Sequence, residues 1–270
     1  MGRLAKVILF FMILLLEGAF SASYADDGSS AILDERSSVA VVDEYDPFAD
    51  DAQWIDEEGK IDEIFDPLEP MNRAFFHFND KLYFWLIKPV ARGYGFVVPK
   101  PARIGIRNFF HNLVFPVRLV NNLLQGKVRA SGTEIARFCL NTTIGVVGLG
   151  DPARHYFDLV PSDEDFGQTL GSYGLGEGIY LHWPIIGPSS ARDSIGLAGD
   201  YFVNPTLYLF ASDTVAATSV YTGSRVNNVS LVIGDYEALV EGSLDPYIAV
   251  RNAYHQYRAN KIRDGESAEQ

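Results

Sequence analysis

Cysteine is nearly absent from the sequence. Cys139 stands alone among 270 residues, which excludes an intramolecular disulfide framework and any CxxC redox or metal motif. Histidine is sparse as well. His77, His111, His155, His182 and His255 form neither H-x-x-x-H nor H-E-x-x-H, so there is no zinc-ligand spacing, and neither a metal nor another cofactor is expected. Asp163, Glu164 and Asp165 read as a solvated loop, because no supporting oxygen pattern surrounds them. Catalytic signatures are missing too. Ser189 and Ser190 sit in GPSSA, which lacks the G-x-S-x-G spacing, while GVVGLG and GLGEG lack the order of a phosphate-binding loop and read as turns. No catalytic residue is expected. No apolar run reaches 18 residues, so any membrane attachment should be monotopic. Positive charge is scarce, with 22 Lys+Arg against 35 Asp+Glu and a net charge of -13, which argues against a nucleic-acid partner.

What is present is unevenly spread. Residues 1–25 read as an export signal: Arg3 and Lys6, the apolar run Val7 to Leu16, then Ser23-Tyr24-Ala25 ahead of Asp26. Such a run spans about 15 Å as a helix, half of a bilayer core of about 30 Å. Cleavage near Asp26 is expected, and with it a periplasmic or outer-membrane destination. Residues 26–66 carry 15 Asp+Glu against Arg36 and Lys60. Without sustained periodicity, 26–65 is expected to be an acidic flexible arm, either a linker or a dock for a basic partner. Residues 264–270 should fray as a tail.

The body, 66–263, reads as mainly α. Asp66-Pro67-Leu68-Glu69 has the form of a helix start, and Met71, Phe75, Phe78, Leu82 and Trp85 recur at helical steps up to about Ile87, where Lys88-Pro89 should break the helix. A second helix over 101–113 puts Ile106, Phe109, Phe110 and Leu113 on one face and Lys100, Arg103 and Arg107 on another. A third over 116–125 aligns Val117, Val120 and Leu124, and a fourth from Lys127 to about Ile144 aligns Ile135, Phe138 and Cys139. A glycine-rich stretch follows, with 179–186 as a short extended segment, 188–201 as another helix, and a last helix opened by Asp245-Pro246. Residues 67–137 hold 11 Lys+Arg and 3 Asp+Glu, whereas 138–250 hold 3 and 13. Basic, aromatic-rich amphipathic helices of about 15 to 21 Å fit two settings. One is an ordinary globular core with solvated charges; the other is a headgroup interface one leaflet deep.

Three blocks carry a family resemblance: DPLEPMNRAFFHFND from Asp66, FGQTLGSYGLGEGIYLHWPIIGPSSARDSIG from Phe166, and SLDPYIAVRNAYHQYR from Ser243. Together they resemble the MlaA family, also called VacJ. The resemblance implies a ring-like bundle of short amphipathic helices with one irregular, β-hairpin-like segment. It also implies removal of mislocalised phospholipids from the outer leaflet of the outer membrane through an amphipathic channel, with no covalent chemistry. The implied partners are phospholipids, a trimeric outer-membrane porin and a periplasmic lipid carrier of the Mla type. Motif matches are Asp66, Pro67, Asn72, Arg73, Phe166, Gly167, Gln168, Gly171, Gly178, Pro188, Asp193, Asp245 and Pro246, whose expected roles are structural. Lys100, Arg103, Arg107 and Arg192 are candidates for contact with lipid headgroups. Family members are typically lipoproteins acylated on a leading cysteine. Residues 1–30 contain none, so an unlipidated mature chain is expected, held on the periplasmic side of the outer membrane. A soluble periplasmic lipid-binding or scaffold protein, or an envelope hydrolase, remains the alternative.

Overall fold

The computed structural model describes residues 64–209 and 213–267. The expected signal segment and nearly all of the acidic arm lie outside the described residues. The fold is helical, with one small antiparallel hairpin. In chain order α1 is Glu69–Leu82, α2 Lys88–Val97, α3 Lys100–Leu113, α4 Phe115–Leu124, α5 Val128–Thr143, α6 Pro152–Phe157 and α7 Phe166–Ser172. β1 (Tyr180–Trp183) and β2 (Gly187–Ser190) follow, then α8 Ala191–Val203, α9 Pro205–Leu209, α10 Thr214–Leu231, α11 Asp235–Glu241 and α12 Pro246–Ser267. Among the described residues no helix is long and apolar enough to cross a membrane.

Pro89 does not end the first helix. Residues Tyr83–Ile87 form a π-helical turn that joins α1 to α2 without a break, and Lys88 N donates to Tyr83 O. The wider turn absorbs the missing N–H of Pro89 and the bulk of its ring, a device open to proline inside a helix. Asp66 is not a side-chain cap either. Its carboxylate accepts from Asn72 Nδ2 at 2.8 Å and from Arg251 Nη1 at 3.2 Å, tying the start of α1 to α12. The caps that do form are Asp151, Asp165, Ser190 and Asp213, each accepting from a backbone N–H of its first turn. Asp245 does the same for α12 through Tyr247 N at 3.0 Å. That helix continues past the expected end near Arg263.

The hairpin is held against α1 by two asparagines two helical turns apart. Asn72 accepts from His182 N at 2.9 Å and donates to Tyr180 O at 3.1 Å. Asn79 accepts from Ile185 N at 2.6 Å and donates to Trp183 O at 2.8 Å. The two carboxamides thus serve the outer side of β1 as a neighbouring strand would, leaving a two-stranded sheet without an orphaned edge there. A compact aromatic core of Phe76, Tyr180, Tyr247 and Val250 fills the space between α1, β1 and α12. Opposite it, α7 crosses α8 so closely that a Cβ on Gly196 would lie 2.4 Å from Gly167 N. Glycine is required at that crossing.

Candidate functional site

The apolar stripes legible in the sequence of α1, α4 and α5 are split between inside and outside, with Val117 buried, Phe75, Leu82, Val120 and Phe138 half-buried, and the rest exposed. In α1 the fully buried residues are Asn72 and Phe76, whereas Met71, Phe78 and, just beyond the helix, Trp85 are exposed, Trp85 to 80%. In α4 the buried face is Val117, Arg118, Asn121 and Asn122, with Leu123 and Leu124 exposed. In α5 it is Ser131, Glu134, Arg137 and Asn141, with Val128, Ile135 and Cys139 outside. The inward rows of α1, α4 and α5 are therefore largely polar. Among the described residues nine buried side chains are hydrophobic and 27 are polar or charged, the reverse of a water-soluble interior.

Buried polar groups are tolerable only when partnered, and two networks supply the partners. In the first, Arg118 Nε lies 2.8 Å from Glu134 Oε2, and its Nη1 donates to His111 O at 2.8 Å. Glu134 Oε1 accepts from Ser162 N at 2.9 Å, while His111 Nε2 sits 2.9 Å from Asp163 Oδ1. Burial, helped by Arg118, pushes the His111 imidazole below its ordinary range. Asp163, for which burial acts upward, is nevertheless held down to about 2 by the His111 bond and the charges around it. Arg137 and Asn141 close on Asp151 at 2.8 and 2.9 Å, and Lys127 on Glu164 at 2.8 Å.

The second network borders a cavity of about 430 Å³ between α8, α11 and α12, whose walls include Ile186, Leu197, Leu239 and Val250 beside Asp193, Asp200 and Arg258. Arg258 bridges Asp165, at 2.6 and 2.9 Å, and Asp193, at 2.9 Å. Asp200 has no ion-pair partner among the described residues. Its oxygens accept from Asn121 Nδ2 at 2.8 Å and from Phe166 N at 3.1 Å. Burial first, then the charge of Asp165, pushes its carboxyl up to about 8. Asp165 is held low despite its burial, because Arg258 lies against it. The cavity therefore has apolar walls and an ion-paired, protonatable lining.

The residues singled out in the sequence scatter over this frame. Lys100 is exposed at the start of α3 and Arg107 is half-buried. Arg103 is engaged inside, donating to Ser230 O at 2.7 Å and Ser230 Oγ at 3.1 Å, which ties α3 to α10. Arg192 is buried, 3.0 Å from Asp193, so it braces the second network. Arg73 joins Glu69 at 2.7 Å and grips Asp245 at 3.2 and 2.8 Å. Gln168 N donates to the capping Asp165 at 2.8 Å. A Cβ on Gly171 would meet Ile262 of α12 at 2.6 Å. Gly178 leads into β1 at φ +71, and Pro188 pairs with His182 across the hairpin. Arg118, Asn121, Asn122, Glu134, Arg137, Asn141, Asp200 and Arg258 escaped the sequence reading. Their signal was polar rather than apolar periodicity: Ser131, Glu134, Arg137 and Asn141 follow the helical repeat as faithfully as any hydrophobic stripe. No group of three or more His, Cys, Asp or Glu suited to a metal occurs among the described residues.

A family model described as MlaA lipoprotein matches residues 64–261. The chain belongs to the MlaA family. An Escherichia coli relative, the intermembrane phospholipid transport system lipoprotein MlaA, is 36% identical over 71% of this chain and 76% of its own. The Haemophilus influenzae protein of the same name is 30% identical over 78% and 84%. A solved chain described as the structural basis for maintenance of bacterial outer membrane lipid asymmetry superposes with a TM-score of 0.64 at 35% identity. That match covers 73% of this chain and 98% of the other. The MlaA fold is thus mostly helical with a small hairpin, and the motif blocks at Asp66, Phe166 and Ser243 all lie within the matched region.

Proposed function

We propose that this protein takes mislocalised phospholipids from the outer leaflet of the outer membrane, conducts them through an amphipathic route, and passes them to a periplasmic lipid carrier. The observation that carries this reading is the inverted polarity: helices whose outward faces are apolar and whose inward faces are charged and amide-bearing. A phospholipid crossing a leaflet meets its main barrier in drawing a charged headgroup through hydrocarbon. A polar interior lowers that barrier while the acyl tails stay against apolar walls, so the task needs a two-faced path and no covalent step. The outward residues Trp85, Leu86, Phe96 and Val97 would lie in lipid, with Lys81 near the ring of Trp85 at 5.9 Å in the cation and aromatic pairing favoured at headgroup depth. The shorter helices, such as α3 and α4 at 14 and 10 residues, suit one leaflet, on the periplasmic side of the outer membrane, where a trimeric porin is the expected neighbour. Net direction would come from the lipid imbalance or from an energised partner downstream. A soluble periplasmic carrier would turn the apolar faces of α1, α4 and α5 inward, which counts against that reading.

The test uses the purified protein in nanodiscs containing phosphatidylethanolamine with a photoactivatable headgroup. Cross-links to peptides carrying Asp193 and Tyr254 to Arg258 are expected. Cross-links confined to outward residues such as Trp85 and Leu123 would leave lipid as solvent only and refute conduction.

A further inference from the structure

The turn that joins α5 to α6 is built against the preferences of its own residues. Val146 and Val147 occupy the left-handed region at φ +52 and +59, followed by Gly148 at φ +87. Glycine and asparagine enter this region readily, whereas two successive β-branched residues there are a genuine outlier. The backbone is fixed from behind: Val147 N donates to Thr142 O at 2.9 Å, Gly148 N to Asn141 O at 2.8 Å and Gly150 N to Gly145 O at 2.8 Å. A Cβ on Gly148 would lie 2.5 Å from Asn112 Cβ, so the glycines are placed by packing. The valines are not. Val146 is 64% exposed and Val147 57%, with Ile144 and Leu149 exposed on either side, so most of the aliphatic surface of this strained turn faces outward. Strained residues persist only where the surrounding structure fixes them, and they cluster at functional positions.

We propose that residues 144–149 form a lipid-inserting wedge, a rigid aliphatic tip pressed into the hydrocarbon of the leaflet that holds the helices. Its chemistry favours lipid over a protein partner. From Ile144 to Gly150 the chain carries only aliphatic side chains and glycine, with none of the Trp, Tyr or Arg anchors that concentrate energy in protein interfaces. The tip continues the outward row of α5, Val128, Ile135 and Cys139. The exposed aromatic residues Tyr156 and Phe157 follow on α6, a type enriched at the membrane–water boundary. The wedge rests on the immersion of the helices proposed above and not on lipid conduction.

The full chain in a Cys139→Ser background is labelled with an environment-sensitive fluorophore at Val147→Cys, and separately at Leu123→Cys on the outward face of α4. Both are placed in vesicles of phosphatidylethanolamine and phosphatidylglycerol containing lipids with quenchers at known depths. Quenching of both probes by acyl-chain quenchers is the expected result. Quenching at residue 123 alone overturns the wedge and leaves immersion standing; quenching at neither overturns both. A residue-147 probe that stays in water in vesicles but is shielded within a cross-linked protein complex from cells assigns the tip to a protein and overturns the lipid assignment. A second variant, Val146→Asn with Val147→Gly, relieves the backbone and removes the aliphatic tip. Its thermal midpoint in detergent should rise while its flotation with limiting vesicles falls about tenfold or more. A lower midpoint with unchanged flotation would show the valines to be ordinary packing and overturn the proposal.

Discussion

Asp200→Asn is the substitution for which the structure gives the sharpest expectation. The Asp200 carboxyl sits against the cavity with only neutral donors, Asn121 Nδ2 and Phe166 N, and burial with the neighbouring charge of Asp165 raises its folded value to about 8. The native state holds this proton more tightly than the unfolded chain does. The resulting stability is complete below the unfolded carboxyl value near 4 and is lost as pH rises through about 8. Other groups act elsewhere on the scale. His111 and His182 are pushed down by burial, His182 to about 4, so their contribution to stability is complete above the unfolded imidazole value of about 6.5. Asp163 and Asp165 are held below their ordinary range, and their contribution is complete above the ordinary carboxyl range. Between about pH 6.5 and 8, Asp200 is the one of these five that titrates. A single proton gives at most about 1.4 kcal/mol per pH unit, so the loss across that window approaches about 2 kcal/mol. For a chain of this size that is a fall of about 4 to 8 °C in thermal midpoint. The assay is thermal unfolding in a mild non-ionic detergent at fixed ionic strength over that range. The Asn variant keeps an acceptor for Phe166 N but turns an amide toward Asn121, so its midpoint should start lower. The slope is the readout, and it should be flat. A variant as steep as the parent, or a parent whose midpoint holds or rises from pH 6.5 to 8, would refute the assignment.

Glu134→Leu removes the nearest carboxylate from Arg118, since the pair meets at 2.8 Å with Glu134 fully buried while Asp163 stands off at 3.7 Å. Unfolding in detergent should show a loss of up to about 3 to 5 kcal/mol, with part of it recovered by adding Arg118→Met. Gly196→Ala places a methyl group 2.4 Å from Gly167 N, and a cost of about 1 to 3 kcal/mol should appear in the same assay. Trp85→Gln alters an outward residue of 80% exposure. Stability in detergent should stay within about 0.5 kcal/mol, while retention in membranes through carbonate extraction should fall; equal losses in both would make Trp85 a core residue after all.

The elements were legible because helix starts and periods are local. Pro116, Asp245-Pro246 and the stripes of α3 to α5 marked helices close to where they form. What the stripes could not say was which way they face, because periodicity reports that one side of a helix differs from the other and is blind to the solvent on each side. Both settings stayed open on the stripes alone, and Leu124, Ile135 and Trp85 face outward. The continuation of the first helix through Pro89 was hidden because the π turn is a response to proline rather than a pattern ahead of it. The second network was hidden for a different reason: Asp165, Asp193, Asp200 and Arg258 converge from three separate segments, and no spacing within one segment records that meeting. By contrast, the motif glycines Gly167, Gly171 and Gly178 were readable as backbone constraints, and each occupies a close approach or a positive φ.

The central claim is that the polar interior exists to carry phospholipids out of the wrong leaflet. The most direct test is to delete the gene and measure outer-leaflet phospholipid on intact cells, using a surface-restricted phospholipase or a membrane-impermeant amine label. A rise that is reversed by the parent chain is the expected result. Surface phospholipid that stays at the parental level in the deletion strain would contradict the account.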